Sequence, residues 1–220
     1  MKLSKRLETI YQMIPYQITA DVGSDHGKLM IALFEDGKIP HGYAIENKKG
    51  PYDRLVKALK EAKIIDDVIP LFSDGLTDLP DSVKTIVLAG MGGETIIKII
   101  KAHLEKLKNV ETIVVDAHTS VPKLRKFISE LGYIIADEKI VKEDNIFYEI
   151  IKFIKADIAF YSDKDLEFGP ILSSEKSSLF KEKCQERIDE INHLLLVNDL
   201  PKERVNVLIR ERDRIIGILQ

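Results

Sequence analysis

The sequence predicts an α/β protein: a mostly parallel sheet with helices on both faces, followed by a helical tail. Three observations carry this prediction. Short apolar or β-branched runs alternate with helix-like segments as far as Leu131. Two long strand-like runs then meet across a polar turn, and from Phe168 onward only helical periodicity remains. Strands alternating with helices imply right-handed βαβ crossovers, whereas two strands meeting at a turn imply a hairpin.

Leu3, Leu7, Ile10 and Ile14 recur at helical spacing, so residues 3–14 open the chain as a short amphipathic helix. QITADV, HGYAIE, DVIPLF, KTIVLAG and ETIVVDA read as strands, each ending in small or acidic residues. Residues 28–34, 51–62, 94–107 and 121–131 read as the helices between and after them. GYIIADEKIVKEDNIFYEIIKFIKA reads as two strands joined through KEDN, which places an antiparallel edge on the sheet. In the tail, Leu172, Leu179, Ile188, Ile191 and Leu195 are expected on one helix face. VNDLPKE breaks the chain, with Pro201 suited to a first helical turn, and residues 204–219 form a second helix. The tail is therefore an antiparallel helical hairpin, and the expected units are residues 1–160 and 161–220.

Composition narrows the class. With 45% hydrophobic and 31% charged residues among 220, the chain has enough apolar surface for an unaided core and is neither disordered nor fibrous. The single cysteine, Cys184, excludes an internal disulfide, and five scattered histidines supply no metal-ligand spacing, so no metal is implied. No run approaches ~18 uninterrupted apolar residues, and MKLSKRLETI lacks the apolar core of a leader, so a cytoplasmic protein is expected. A net charge of −3 carries no global signal for nucleic acid. The local basic clusters, among them Lys2, Lys5 and Arg6, and Lys123, Arg125 and Lys126, read as solvated helix faces.

Ligands of an open α/β sheet bind beyond the carboxyl ends of its strands, so those ends are where chemistry is sought. They read DVGSDHG, AIENKKGP, LFSDGL, LAGMGG and VVDAHTS. The first is a poor dinucleotide fingerprint: it lacks the third glycine of GxGxxG, and a pyrophosphate would meet Asp21 and Asp25. A ligand with an amino group, a sulfonium and a ribose suits such acids through charge-assisted hydrogen bonds. S-adenosylmethionine is a ligand of that kind. Glu46, about twenty residues after Gly27, stands where an acid accepts both ribose hydroxyls, or else is an exposed loop acid. Asp74 is placed to accept the adenine amino group, with Gly75 admitting the backbone, or else to serve a turn. The glycines of GMGG leave room where a methyl donor and a flat base must meet.

LSKRLETI, DVGSDHGKL, AIENKKGPYDR, SDGL, LAGMGGETI, YEII and FGPIL together resemble, in order and spacing, the TrmK family of bacterial tRNA (adenine-22-N1)-methyltransferases. The resemblance runs through nearly the whole chain. It implies a seven-stranded, class I (Rossmann-like) methyltransferase sheet with a coiled-coil-like C-terminal hairpin, S-adenosyl-L-methionine as cofactor and tRNA as partner. It carries the cofactor contacts onto Asp21, Gly23, Ser24, Asp25, His26, Gly27, Glu46, Asp74, Gly75, Ala89, Gly90, Met91 and Gly92. One departure stands out: Asp116, Ala117 and His118 occupy the place of a QPN-like triplet found in many relatives.

Methylation of adenine N1 needs no general base, since the ring nitrogen carries a lone pair; it needs alignment and tolerance of the positive charge that develops. Asp25 is the first candidate acceptor for the adenine amino group and Asp116 the second. His26 either contacts cofactor or base, or caps the helix that starts near Gly27. Tyr43 and Phe72 are expected in strand interiors, and His118 in a loop. The tail's Lys181, Lys183, Arg187, Lys202, Arg204, Arg210, Arg212 and Arg214 permit an RNA-gripping edge, with acids interleaved among them. Competing readings are a methyltransferase for another RNA or a small molecule, and a non-catalytic binding protein.

Overall fold

A computed structural model describes residues 2–156, 160–196 and 200–220. Helix α1 (Lys5–Met13) leads in, capped by Ser4 Oγ, which accepts from the Leu7 amide. Five strands, β1 (Thr19–Val22), β2 (Gly42–Glu46), β3 (Val68–Phe72), β4 (Thr85–Met91) and β5 (Thr112–Ala117), alternate with α2 (Lys28–Glu35), α3 (Lys49–Glu61) and α4 (Gly93–Lys101). Helix α5 (Val121–Glu130) leads to a hairpin of β6 (Tyr133–Glu143) and β7 (Ile146–Lys155). The tail holds α6 (Asp163–Phe168), α7 (Pro170–Glu175), α8 (Ser178–Leu195) and α9 (Lys202–Leu219).

The seven strands form one sheet in the order β3-β2-β1-β4-β5-β7-β6. Strands β1 to β5 pair in parallel, and β7 runs antiparallel between β5 and β6. The order reverses at β1, between β2 and β4, which opens a crevice at the carboxyl ends there. Alternation along the strands loads both faces. Ile86, Leu88, Ile113 and Val115 pack with Ile96, Ile100, Leu124 and Ile128 of α4 and α5. Val87 and Val114 pack with Ile10, Met30, Leu33, Leu55 and Leu59 of α1, α2 and α3. Each such aliphatic side chain, wholly withdrawn from water, contributes about 1.5–3 kcal/mol.

The helical tail packs on the β6–β7 hairpin through a third cluster, in which Ile140 meets Leu172, Phe180, Cys184, Ile188, Ile191, Leu208, Ile215 and Ile218. Pairs such as Arg187–Glu211 fix α8 and α9 as antiparallel neighbours. Leu172, expected on the long helix, instead lies on α7: Lys176 adopts a left-handed conformation (φ 45°, ψ 49°) that ends α7, and Ser177 caps α8 afresh. The helix expected over 94–107 also divides. His103 is non-helical (φ −139°), its ring bonded to Ile99 O and Thr77 Oγ1 at 3.0 Å each, and a 3-10 turn, Leu104–Asn109, follows. The break expected at VNDLPKE includes residues 197–199, which lie outside the described residues. Pro201, expected in a first helical turn, instead stands one position before α9 as its N-cap.

Arg125 overturns the reading of its cluster as a solvated face. Lys123 and Lys126 point outward, but the Arg125 side chain is fully buried. Its Nε donates to Glu138 Oε1 (2.8 Å), Nη1 to Leu166 O (3.0 Å) and Nη2 to Glu149 Oε2 (2.5 Å). Glu138 also accepts from the Ile171 amide, and Lys183 of α8 reaches Glu149. A side chain at Gly169 would lie 2.6 Å from Glu138, so the chain passes this network as bare backbone. The network ties α5, β6 and β7 to the tail.

Candidate active site

The crevice at the topological switch point is built by the ends of β1, β2, β3 and β4. A cavity of about 330 Å³ there is lined by Gly23, Glu46, Asp74, Gly75, Met91 and Thr95, among others. A second, of about 230 Å³, is lined by Arg6, Asp21, Gly23, Ser24, Asp25, Lys28, Ala89 and Gly90. Gly23 borders both. It adopts φ 81°, a backbone conformation that favours glycine, and a Cβ there would stand 2.6 Å from Met91 Cε, so the methionine side chain would have to move.

The loop after β1 is strained. Asp25–Gly27 form a 3-10 turn in which His26 takes φ 62°, and α2 begins at Lys28 with no side-chain cap. His26 is therefore not the cap of that helix. Its backbone conformation is uncommon for a residue other than glycine and costs on the order of 1–3 kcal/mol. Its Nε2 lies 3.6 Å from Asp25 Oδ1, which also accepts from Arg54 Nη2 at 3.1 Å. Asp25 itself is half exposed.

Asp21, by contrast, is buried, and burial pushes its carboxyl up to about 6; the nearby Ser24 side chain opposes that shift and the Glu46 charge adds to it. Ser24 Oγ is buried with no formed hydrogen bond. Glu46 Oε1 accepts from the amides of Asn47 and Lys48, each at 3.0 Å, which leaves Oε2 for a ligand. Asp74 Oδ1 accepts from Asn47 Nδ2 at 2.8 Å, so the β2 and β3 loops brace one another. A crevice with two buried carboxylates and an unpartnered hydroxyl repels a pyrophosphate and suits an ammonium group and a diol. By that donor set, the residues fit S-adenosylmethionine.

A further group lies where β4, β5 and β7 meet α1. Asp116, in register with Ala89, is fully buried. Arg6 Nη1 donates to Asp116 Oδ2 at 3.1 Å and lies 3.4 Å from His118 Nε2. The Arg6 guanidinium sits 5.1 Å from the Tyr148 ring, against which His118 packs edge-on. Asp116 Oδ1 and Arg6 Nε are both buried without a partner. Burial pushes the Asp116 carboxyl up, while Arg6, His118 and the Gly90 amide pull it back down.

Arg6, expected on a solvated face, is thus turned inward. The signal was available: Arg6, Ile10 and Met13 fall on one helical stripe, and the last two are buried. Phe72 departs in the opposite sense. It is exposed at the end of edge strand β3, its ring 5.2 Å from and tilted 59° to that of Tyr52 rather than packed in the core, whereas Tyr43 does pack against the core. Gly92 caps α4 by its backbone, and Gly93 passes so close to β5's loop that a Cβ would meet Thr119 O at 2.5 Å.

A sheet of this order with acids at the ends of β1, β2 and β3 defines a Rossmann-like, class I methyltransferase. The chain belongs to the TrmK family, tRNA (adenine(22)-N(1))-methyltransferase, whose profile matches residues 19–212. It is 27% identical to the Bacillus subtilis tRNA (adenine(22)-N(1))-methyltransferase over 201 residues, covering 86% of this chain and 82% of that one. The Streptococcus pneumoniae protein Sp1610, solved in complex with S-adenosyl-L-methionine, is 32% identical and superposes with a TM-score of 0.92 over the whole of both chains. Among the described residues no helix is long and apolar enough to cross a membrane, and no group of acids, histidines and cysteine could hold a metal ion.

Proposed function

We propose that this chain methylates N1 of adenine 22 in tRNA, using S-adenosyl-L-methionine as donor. The observation that carries this reading is the pair of cavities meeting at Gly23: one with Glu46 and Asp74 as acceptors for a ribose and an adenine, the other with Asp21 and Ser24 for the amino-acid end and bordered also by Arg6, Asp25, Ala89 and Gly90. Glu46 would hold the ribose through Oε2, Asp21 the charged amino group, and Asp74 with Gly75 the adenine of the cofactor. Gly23, Ser24, Gly27, Met91 and Gly92 shape the surrounding wall. When bound, the donor supplies an electrophilic methyl group on a sulfonium.

The chain's task is then to align a neutral adenine and stabilise the positive charge its ring acquires as N1 forms the new bond. No proton has to leave N1. A carboxylate at the exocyclic amino group serves this, and geometry reverses the order of the two candidates. Asp25 is half exposed and already held by Arg54. Asp116 is buried, with Oδ1 unpartnered behind Ala89 and Gly90. We assign the amino-group contact to Asp116 and leave Asp25 and His26 the rim of the pocket. The target base must leave its stack to enter, at a cost of a few kcal/mol.

The hairpin of residues 161–220 would contribute to holding the tRNA. Lys183, Arg187, Arg212 and Arg214 are engaged with acids, so that share falls to Lys181, Lys202, Arg204 and Arg210, which make no ion pair among the described residues. The test is incubation of tRNA transcripts with labelled donor, followed by nucleoside analysis. 1-Methyladenosine is expected on a transcript with adenine at position 22 and not on one with guanine there. Asp116→Asn should lower turnover by about 100-fold or more, while Asp25→Asn changes it less. Donor binding without any 1-methyladenosine would overturn the reading.

A further inference from the structure

Arg6 joins the site from a distant part of the chain: it enters on α1, 110 positions before its partner Asp116. Helix α1 packs across β5, β6 and β7, so the guanidinium arrives over the end of the sheet and not through a strand-end loop. Its side chain is three-quarters covered and its Nε is withdrawn from water, where a donor is ordinarily satisfied. Here it is not. One nitrogen, Nη1, serves Asp116 and approaches His118, while Nε is left without an acceptor and Asp116 Oδ1 without a donor. A pair that served stability alone would gain by closing the fork, both oxygens to two nitrogens, because an unmet buried polar group is costly.

The one-armed arrangement has a use. With Nη1 on Oδ2, the carboxylate is fixed and its other oxygen is left without a donor, next to Ala89, its partner in register, which with Arg6 and Gly90 walls the second cavity. The Tyr148 ring beneath the guanidinium and His118 against that ring hold the cation in place. Resting on the methyl transfer proposed above, we propose that Arg6 is a positioning residue of that reaction: it orients Asp116 so that Oδ1 receives the exocyclic amino group of the target adenine, and it keeps that carboxylate ionised. Arg6 itself needs no contact with the reacting atoms. The adenine amino group, once bound, fills the acceptor that the folded chain leaves open.

The ionisation half follows from what faces Asp116. From α1 comes Arg6, from β4 the Gly90 amide and from the end of its own strand His118, while β7 contributes the uncharged Tyr148 ring. Burial pushes the carboxyl up, and Arg6 leads the groups that pull it down. Without Arg6 the carboxyl would stay protonated to higher pH, and a protonated carboxyl stabilises a cationic ring far less.

The experiment compares full-length wild type, Arg6→Met and Arg6→Lys by kcat and KM on an adenine-22 transcript across pH 5.5–9, with S-adenosylmethionine binding and thermal melting measured in parallel. Arg6→Met should lower kcat by about 10–100-fold, as a displaced group does, and move the acidic limb of kcat/KM upward by about one pH unit. Donor affinity should change far less than kcat, since Arg6, although it shares a cavity with Asp21 and Ser24, pairs with Asp116 and not with them. Arg6→Lys, which keeps the charge and loses the fork, should restore the limb and part of kcat. An unchanged limb in Arg6→Met overturns the proposal, and so does equal impairment of both variants with lost donor binding, the mark of a merely structural role. Wild type that binds the donor but forms no 1-methyladenosine overturns the functional reading itself, before any variant is compared.

Discussion

Two arginines meet buried carboxylates in this molecule, Arg125 wholly buried and Arg6 three-quarters covered, and they are built differently. Arg125 donates from all three of its nitrogens, to Glu138, Leu166 O and Glu149, and Glu138 and Glu149 in turn take further donors from Ile171 and Lys183. Arg6 uses one nitrogen on one oxygen and leaves a donor and an acceptor unmet. Burial costs the charge of Arg125 in one place and of Asp116 in the other, since desolvation penalises the ionised form. At Arg125 the chain itself offsets the cost. At Arg6 and Asp116 the offset is incomplete until something else arrives. A closed network marks a joint of the fold; an open one, beside a cavity, marks a place for a ligand.

The largest effect is expected from breaking the closed network. Arg125→Met removes the cation between two buried carboxylates and the anchor of Leu166, and should destabilise by about 3–5 kcal/mol. For a chain of this size the melting temperature should fall by roughly 10 °C or more. Thermal melting with donor present and absent checks this. If the folded fraction keeps wild-type turnover, Arg125 is a joint and nothing more; a variant of wild-type stability would refute the contrast between the two arginines.

Asp21 sharpens the contrast from the ligand side, because it is a buried acid that the fold leaves without a cation. Its pKa, pushed up to about 6 from 3.8, means that the folded chain holds this proton where the unfolded chain has lost it. The raised pKa therefore makes stability fall as pH rises from about 4 to about 6, and the loss stays constant above that, at about 3 kcal/mol. Asp21→Asn should consequently raise stability at pH 7.5 by about 1–3 kcal/mol while weakening S-adenosylmethionine by tenfold or more. In wild type, donor affinity should be flat between about pH 6 and 7 and fall about tenfold per unit well below that, as the proton competes with the donor's amino group. It should begin to fall again towards about pH 8 as that amino group loses its own charge. Calorimetric titration from pH 8 to pH 5 reads this directly. A flat profile would remove Asp21 from the site.

How far such features are legible in the sequence depends on how local their cause is. The strands and their acidic ends were readable because period-two runs and turn glycines are written within a few residues: Asp21, Gly23, Glu46 and Asp74 all lie where the strand ends put them. Both arginines were misread for one reason. Lys2, Lys5 and Arg6, like Lys123, Arg125 and Lys126, are charge runs, and a charge run does not say which member turns inward. Arg6 finds its acid 110 residues away, and Arg125 finds its two at 13 and 24, so the decisive pairing exists only once β5, β6 and β7 are assembled. Phe72 was misplaced for a related reason, since an aromatic at the end of a strand is buried only if another strand or helix covers it, and β3 is the sheet edge.

The smallest effect separates completeness from burial. Arg214 meets Glu167 with a closed fork, Nε to Oε2 at 2.8 Å and Nη2 to Oε1 at 3.0 Å, geometry as complete as any in the molecule. Yet about half of the Arg214 side chain is exposed, so water competes for both partners, and the ordering of two long side chains offsets most of what the contact gains. Arg214→Met should change stability by less than about 1 kcal/mol, a shift of at most about 4 °C, and leave donor affinity and turnover unaltered. Melting curves of Arg214→Met and Arg125→Met side by side then test what closure is worth in and out of water. Equal losses would mean that fork geometry alone sets the stability of these pairs, and that the open fork at Arg6 is weak for want of a second hydrogen bond. A large loss for Arg125 beside a small one for Arg214 would mean that burial sets the scale, which is the condition under which an unmet Asp116 oxygen becomes a strong site for an incoming amino group.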